Sequence, residues 1–468
     1  MSTRLYYLWA LIERFGANVL SLVGNIVLAY LLVPGDFGLM AMVSLFTGMI
    51  VVLVDAGTGD ALLQLGSPTR RDFNTVFYFN VAVASLLAAI YVAIGPAVAR
   101  FFNAPELREV MPALGAATVL YGLNVTQQTR LRSRLQFRKL AIINLLAVAM
   151  AIAVAIAVAI AGGGYRALVA LQVAHPASVL LLLLLTSKWE LRWEFDVARF
   201  KQIWRFSANL LVSTIFNLLS QYIFPMILGW KYSATHAGYM GQAQKLLQTP
   251  LNSFEASLSI TAFTLIAKEP TRERKVARVQ QIFNTMTMVN SLACVAIIAL
   301  ARPIVEVLFP AKWLPVIPYL QLMALWGLVY PVCSHLMLIF KVFARTSVIR
   351  NVFVVEKTLI VVAALALWRH GVATIMLVSA GISLLSLCVY LLMARGVIGG
   401  AGARGLLSTY VRNLCVAAAA MAVGYGITFA VYIIMPAGYA TSVAALLLGA
   451  VPFAVLLLRK RESLLSAL

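Results

Sequence analysis

Apolar residues run along the whole chain in stretches of about 20, broken by short polar segments, and a helix of that length crosses a ~30 Å hydrocarbon layer. The stretches predict spans near 15–33, 37–55, 76–95, 110–127, 141–161, 164–186, 208–229, 244–267, 281–301, 317–340, 351–368, 371–393, 413–435 and 440–458, fourteen in all. The first is read as a retained helix rather than a signal peptide. Glu13, Arg14, Asn18 and Asn25 interrupt it and no small-residue cleavage pattern follows.

Several spans carry polar residues at helical spacing. Arg14, Asn18, Ser21 and Asn25 fall within about 60° of one another at 100° per residue. Arg205, Asn209, Ser213, Asn217 and Ser220 occupy about a third of the circumference of the seventh span. The second span has Ser44, Thr47, Asp55 and Thr58 on one side. In the eighth, Lys245, Gln248, Asn252, Glu255 and Ser259 share a sector of about 80°, and Pro250 interrupts the hydrogen bonding midway. Such stripes face protein or water, because lipid satisfies no polar group. Asn, Ser and Gln also join helices within a bundle, so a cavity role is expected first of the charged Lys245, Glu255 and Asp55. Arg14 and Arg205 sit at helix ends, from which arginine also snorkels to the interface. They stand as cavity candidates beside Asn18, Asn25, Asn209, Gln248 and Asn252.

His175 and His335 have no partner at ligand spacing and are expected to pack. Glu356 and Lys357 are neighbours, about 100° apart on a helix, and a loop-side structural role is expected. Cys294, Cys333, Cys388 and Cys415 form no Cys-x-x-Cys pair and are expected to pack within spans.

One pattern occurs twice. RFGANVL (14–20) is echoed by RFSANLL (205–211), and LLVPGDFGLM (31–40) by SATHAGYMGQ (233–242), the register slipping from 191 to 200. Both copies begin after an even number of spans, so the repeats are parallel. The fold class expected is an all-α polytopic membrane protein of two parallel six-helix lobes around a central cavity. Residues 1–187 form the first lobe, 188–204 a cytoplasmic linker, 205–394 the second lobe, and 395–468 a terminal helix pair with a basic tail.

Composition agrees with a membrane protein: 62% of the 468 residues are apolar and 11% charged, and the mean hydropathy is +0.93. A net charge of +21 raises nucleic acid as a partner, but the basic residues follow loop parity rather than forming one patch. With both termini inside, only Arg100, Arg108, Arg166, Lys231, Lys245, Arg302, Lys312 and Arg369 of the 37 Lys and Arg fall on the other side. The inside basic loops also attract anionic lipid headgroups. The sequence carries no P-loop, zinc motif or nucleotide-binding glycine cluster.

LVPGDFGLMAMV (32–43), VDAGTGDALLQ (54–64), TVFYFNVAVA (75–84), PAVARFFNAPEL (96–107), QTRLRSRLQFRKLA (128–141), RFSANLL (205–211) and AGYMGQAQKLLQTPLN (237–252) together resemble one family. It is the polysaccharide-transport branch of the multidrug/oligosaccharidyl-lipid/polysaccharide exporter superfamily, with its Wzx-type flippases of lipopolysaccharide and exopolysaccharide. The resemblance covers most of residues 10–260. It departs at SITAFTLIAKEP (259–270), where relatives continue toward a Phe-Pro-Ala-like end, and at Glu255, where an apolar residue is usual.

The resemblance implies movement of an undecaprenyl-diphosphate-linked oligosaccharide from the inner to the outer leaflet of the bacterial inner membrane, for surface polysaccharide synthesis. It implies no cofactor. Arg14 and Lys245 would offer charge to diphosphate and the amide side chains hydrogen bonds to sugar, while Asp55 and Glu255 would titrate in an H+- or Na+-coupled cycle. Polysaccharide polymerases or glycosyltransferases are the partners it suggests, besides membrane lipid.

Other classes stay open. A multidrug antiporter of the same fold would expose acidic residues to cationic drugs, and this chain offers at least as many basic ones. A membrane glycosyltransferase or polymerase would place catalytic groups on a sizeable outside loop, and 96–109 and 302–316 are short. A scaffold that only recruits a glycan enzyme would not need polar stripes in both lobes.

Overall fold

The computed structural model describes residues 3–64, 68–187, 192–267, 269–343, 345–436 and 438–459, without the side chains of 3–8, 10, 11, 14, 60, 64, 202, 205–217, 220, 252–265, 267, 346 and 347. Every regular element among the described residues is helical: α1 Thr3–Leu31, α2 Pro34–Met42, α3 Ser44–Asp55, α4 Thr58–Gln64, α5 Arg70–Phe101, α6 Leu107–Ser133, α7 Phe137–Ile160, α8 Tyr165–Thr186, α9 Val197–Lys231, α10 Ala234–Ala267, α11 Arg272–Leu308, α12 Val316–Gly327, α13 Tyr330–Val342, α14 Thr346–Ala366, α15 Val372–Ile434 and α16 Tyr439–Arg459. Among the described residues seven helical stretches, one of them α12 and α13 taken together, are long and apolar enough to cross a membrane, or eight if α2 and α3, bent by 43°, form one span. Large apolar side chains such as Leu86, Ile160, Leu185, Ile434 and Leu458 stand exposed along them, an outer surface suited to lipid rather than water.

The chain divides into two compact units, Met1–Gly238 and Tyr239–Leu468. In the first, α1 lies against α7 through small residues. A Cβ on Gly24 would meet Ile152 Cδ1 at 2.6 Å, and one on Gly16 would meet Leu145 Cδ2 at 2.9 Å. On α7 itself Ala147, Ala151, Ala155 and Ala159 are buried at every fourth position. Without a hydrophobic drive between helices in lipid, close packing of this kind is what associates them.

Polar caps set the starts of α5 and α9. Thr69 and Asp72 cap each other at the start of α5, Asp72 Oδ2 accepting from Thr69 N–H at 2.9 Å and Thr69 Oγ1 from Asp72 N–H at 3.3 Å. Asp196 caps α9 by accepting from Ala198 and Arg199 N–H at 3.0 and 3.1 Å. The N–H of Arg199 and the nearby charge of Arg71 hold the Asp196 carboxyl below the usual aspartate range. Three ion pairs, Arg70–Glu194 at 3.5 Å, Arg71–Asp196 at 3.5 Å and Arg199–Asp72 at 3.4 Å, fasten the segment before α9 and the first turn of α9 to the start of α5. Each contributes under about 1 kcal/mol where exposed, and Trp193 stacked on Tyr78 at 4.7 Å adds to them.

In the second unit, α11, α13 and α15 enclose a core around Phe283, Phe340, Leu387, Tyr390 and Tyr410. The inside loop expected near 395–412 is helical instead. α15 runs from Val372 to Ile434, interrupted at Gly399 (φ 80°, ψ 160°), a backbone conformation that glycine adopts without strain. Carbonyls flanking the break are capped from α11: Arg272 donates to Val397 O at 2.7 Å and Gln280 to Gly402 O at 3.3 Å. The terminal helix joins the unit through Glu306 on α11, which accepts from Arg302 (2.8 Å), Ser442 (2.6 Å) and Tyr432. Burial pulls that carboxyl upward, but the hydrogen bonds from Ser442, Tyr432 and Arg302 outweigh it and hold it below the usual glutamate range.

Candidate functional site

The two copies of the repeated turn meet. At a register of 200, Pro34 corresponds to Ala234 and Gly38 to Gly238. A Cβ on Gly38 would lie 1.7 Å from the Ala234 carbonyl oxygen, and one on Gly238 would lie 2.0 Å from the Pro34 carbonyl oxygen. The first turns of α2 and α10 therefore cross backbone on backbone, each glycine against the carbonyl that opens the other helix. The contact continues along α9, where Gly229 faces Met42 (Cβ to Cγ 2.3 Å) and Gly48 of α3 faces Tyr222 (Cβ to Cε2 2.7 Å). Pro34 at the start of α2 presets the helical φ, and Asp36 Oδ2 accepts from Val33 N–H at 3.1 Å. Beside this contact lies a groove of about 530 Å³ lined in part by Asp36, Asn103, Glu106, Tyr165, Trp230 and Tyr232.

A string of hydrogen bonds crosses the first unit. Thr58 Oγ1 donates to Asp55 O (2.6 Å) and lies 3.3 Å from Asn80 Oδ1, and Asn80 Nδ2 donates to Thr126 Oγ1 at 3.2 Å. Thr58, Asn80 and Thr126 are each at most 1% exposed, and each bond contributes about 1 kcal/mol net in a buried site. Asp55, half-buried, accepts from Gly59 N–H at 3.1 Å through its carboxylate. That carboxylate closes the sharp turn at Ala56 (φ 48°) and Gly57 (φ 75°), so Asp55 serves the α3–α4 junction.

A cavity of about 540 Å³ lies within the first unit between α1, α6, α7 and α8, lined by Glu13, Asn18, Tyr121, Asn124, Gln128, Arg132, Asn144 and His175 among others. Asn144 Nδ2 donates to Glu13 Oε1 at 2.6 Å. Asn124, 1% exposed, gives Nδ2 to Pro176 O at 2.7 Å, and its Oδ1 has no partner among the described residues. Asn18 thus belongs to this cavity, with His175, which is exposed rather than packed.

Of the other sequence-predicted residues, Asn25 is half-buried on α1 and Gln248 half-buried on α10. Lys245 is exposed on α10 although Gln244 and Leu247 beside it are buried. The side chains of Arg14, Arg205, Asn209, Asn252 and Glu255 lie outside the described residues.

Two expectations are corrected in the second unit. Glu356 and Lys357 are not loop-side: they are 2% and 8% exposed, with Lys357 Nζ 3.2 Å from Glu356 Oε1. Ser383 Oγ donates to the same carboxylate oxygen at 3.1 Å and accepts from Trp326 Nε1 at 3.1 Å. A buried carboxylate survives only with such partners, and the flexible lysine stem closes the 100° gap that adjacency imposes. Of the four free cysteines, Cys294 and Cys333 are buried as expected, but Cys388 and Cys415 are exposed on α15.

Residues 27–318 match a family model described as Polysaccharide biosynthesis protein. The chain belongs to this family. It is 23% identical over 283 residues to the teichuronic acid biosynthesis protein TuaB of Bacillus subtilis (strain 168), covering 59% of this chain and 58% of that one. It is 23% identical over 328 residues to the succinoglycan biosynthesis transport protein ExoT of Rhizobium meliloti (strain 1021), covering 70% and 66%. The chain thus spans less than two thirds of the length of these two relatives. To the lipopolysaccharide biosynthesis protein WzxC of Escherichia coli (strain K12) it is 21% identical over 362 residues, covering 77% and 73%. Its fold matches a structure described as lipid II flippase MurJ in an inward closed conformation, with a TM-score of 0.75 over 97% of this chain and 99% of that one at 11% identity. An inward-facing multidrug resistance MATE family transporter of the MOP superfamily follows at 0.60, covering 87% and 98% at 14% identity. The protein is an all-helical multi-pass membrane protein with a MurJ- and MATE-like fold.

Proposed function

We propose that the protein is a flippase that carries a lipid-linked oligosaccharide, its glycan joined through undecaprenyl diphosphate, across the bacterial inner membrane by alternating access. What carries this reading is the coincidence of a polysaccharide biosynthesis family match over 27–318 with a fold shared along 97% of the chain with a lipid II flippase. We read it as a transporter rather than a glycosyltransferase or polymerase, in line with the transport role named for ExoT. The MATE likeness of 0.60 supports multidrug antiport as a second reading, on fold alone.

In this reading the chain crosses fourteen times. α2 with α3 and α12 with α13 each make one crossing, and α15 makes two around Gly399. Both ends lie in the cytoplasm, as the loop parity of Lys and Arg supports. The lobes are those of the repeat, 1–187 and 205–394. The Gly38–Gly238 contact is the closed outer gate, brought together by the two repeat-related turns. Lys245 faces a water-filled space, because a lysine left against hydrocarbon would cost ~2.5–3.5 kcal/mol. Lys245, Arg14 and Arg205 are the candidate contacts to the diphosphate, and Asn18, Asn25, Asn209, Gln248 and Asn252 the candidate hydrogen-bond partners of the glycan. Glu255 serves ion coupling, as does Asp55 in addition to holding the α3–α4 turn, and glycan polymerases are the expected partners.

Deleting the gene in its host tests the reading. The expected result is accumulation of a lipid-linked oligosaccharide on the cytoplasmic leaflet with loss of surface glycan. Normal surface glycan without accumulation would sink it.

A further inference from the structure

We propose that the first unit carries a phosphate-binding pocket, separate from the transport path, at the end where α6 turns into α7. Gln127, Arg130, Leu131 and Arg134 follow one another at i, i+3, i+4 and i+7, one face of α6. Arg134 is the C-cap of α6 and Leu135 adopts a left-handed φ of 55°. Gln136 N–H returns to Leu131 O at 3.0 Å, so α7 starts beside the same face. The turn brings Gln136 and Lys139 over that face, and Ser187, which caps α8, closes the floor. Together these seven residues line a cavity of about 130 Å³, several times the ~30 Å³ share of one water and room for a phosphate.

The lining has the chemistry of an anion site. Three of the seven residues are cationic and none is acidic. Burial lowers the Arg130 guanidinium below its ordinary value, and the like charge of Arg134 lowers it further. Arg130 lies in the last turn of α6, beyond the apolar stretch that ends near 127. Lys139 spends one N–H on the Thr186 carbonyl and keeps two donors. The buried Ser187 Oγ has no partner among the described residues, a donor left for the occupant. A single guanidinium gives phosphate two parallel hydrogen bonds.

The rim indicates where the phosphate comes from. Leu135 lies in sequence between the lining residues Arg134 and Gln136, and Leu184 and Leu185 shortly precede Ser187; the three are 53%, 65% and 73% exposed. Acyl chains lying over them would deliver a lipid headgroup into the pocket. The pocket's cytoplasmic location rests on the topology proposed above; its phosphate chemistry does not.

The test uses the full chain in nanodiscs of phosphatidylcholine, or of phosphatidylglycerol, and separately in detergent with inorganic phosphate, following thermal unfolding. Phosphatidylglycerol is expected to raise the midpoint, and Arg134→Gln to weaken that lipid's apparent binding about tenfold, one charge-assisted hydrogen bond. Ser187→Ala should weaken it less, and Arg100→Gln, far along the chain from the pocket, not at all. Stabilisation by inorganic phosphate that Arg134→Gln abolishes, with no preference for phosphatidylglycerol, would support the pocket and assign it to a soluble phosphate ester. Equal midpoints in both lipids and with phosphate, or a lipid effect untouched by both Arg134→Gln and Ser187→Ala, would overturn it. The readout is binding in isolated protein, so it stands whether or not the flippase reading does.

Discussion

Gly38→Val is expected to abolish complementation of surface glycan while leaving the protein inserted at normal levels. The added Cβ would sit 1.7 Å from a backbone oxygen, that of Ala234. No side-chain rotation relieves a clash with backbone, so the two helix ends must part. Overpacking of this kind costs about 1–3 kcal/mol, and 2.7 kcal/mol moves a two-state equilibrium about a hundredfold. The outer-closed conformer becomes the minor one and the cycle stalls with its outer side open. A cysteine placed in the adjoining groove, at Asn103, should gain reactivity toward an impermeant thiol reagent. Gly238→Val should act alike through the Pro34 carbonyl, and the double variant should be little worse than either, since both break one contact. Gly426→Ala, with nothing within 4 Å of its Cβ position, is the neutral control. Normal glycan and unchanged labelling in Gly38→Val would remove the gate from the mechanism.

Lys245→Ala is expected to lower flipping by about ten- to a hundredfold, the loss of one or two charge-assisted hydrogen bonds to a phosphate. Lys245 stands exposed on α10, so its removal leaves no cavity in packed protein and insertion should be normal. Lys245→Arg should retain most activity, because the positive charge persists; Lys245→Met, which keeps the length without the charge, should not. The measurement is initial flipping rate at matched protein levels. Full activity in Lys245→Met would return the residue to a packing role.

Much of the fold was legible in the apolar runs, since α7, α8 and α16 follow the stretches 141–161, 164–186 and 440–458 closely. The break between α2 and α3 was not, because nothing at Val43 is a helix breaker. Residues 395–412 read as a loop because Arg395, Arg404 and Arg412 cluster there, yet the intervening Ala and Leu hold a helix and Gly399 alone departs from helical φ/ψ within α15.

The candidate site was legible where the repeat carried it. Aligning the two turns at a register of 200 pairs Gly38 with Gly238, but that related residues also touch is a fact of three dimensions. The Glu356–Lys357–Ser383–Trp326 network needed α12, α14 and α15 brought together, and no spacing announces it. Asp55 stood out as a charge at membrane depth. Its role at the α3–α4 turn depends on the backbone turning at Ala56 and Gly57, which residue spacing does not announce.

The central claim is movement of a lipid-linked glycan between leaflets, and leaflet-resolved assay of the purified protein measures it. Proteoliposomes are loaded with lipid-linked oligosaccharide from the deletion strain, and an impermeant glycosidase reports the fraction exposed outside over time. Protein-dependent exposure of the glycan that is lost in Gly38→Val and Lys245→Met is the predicted result. Exposure no faster than in protein-free vesicles, with the protein folded and both orientations present, would contradict it.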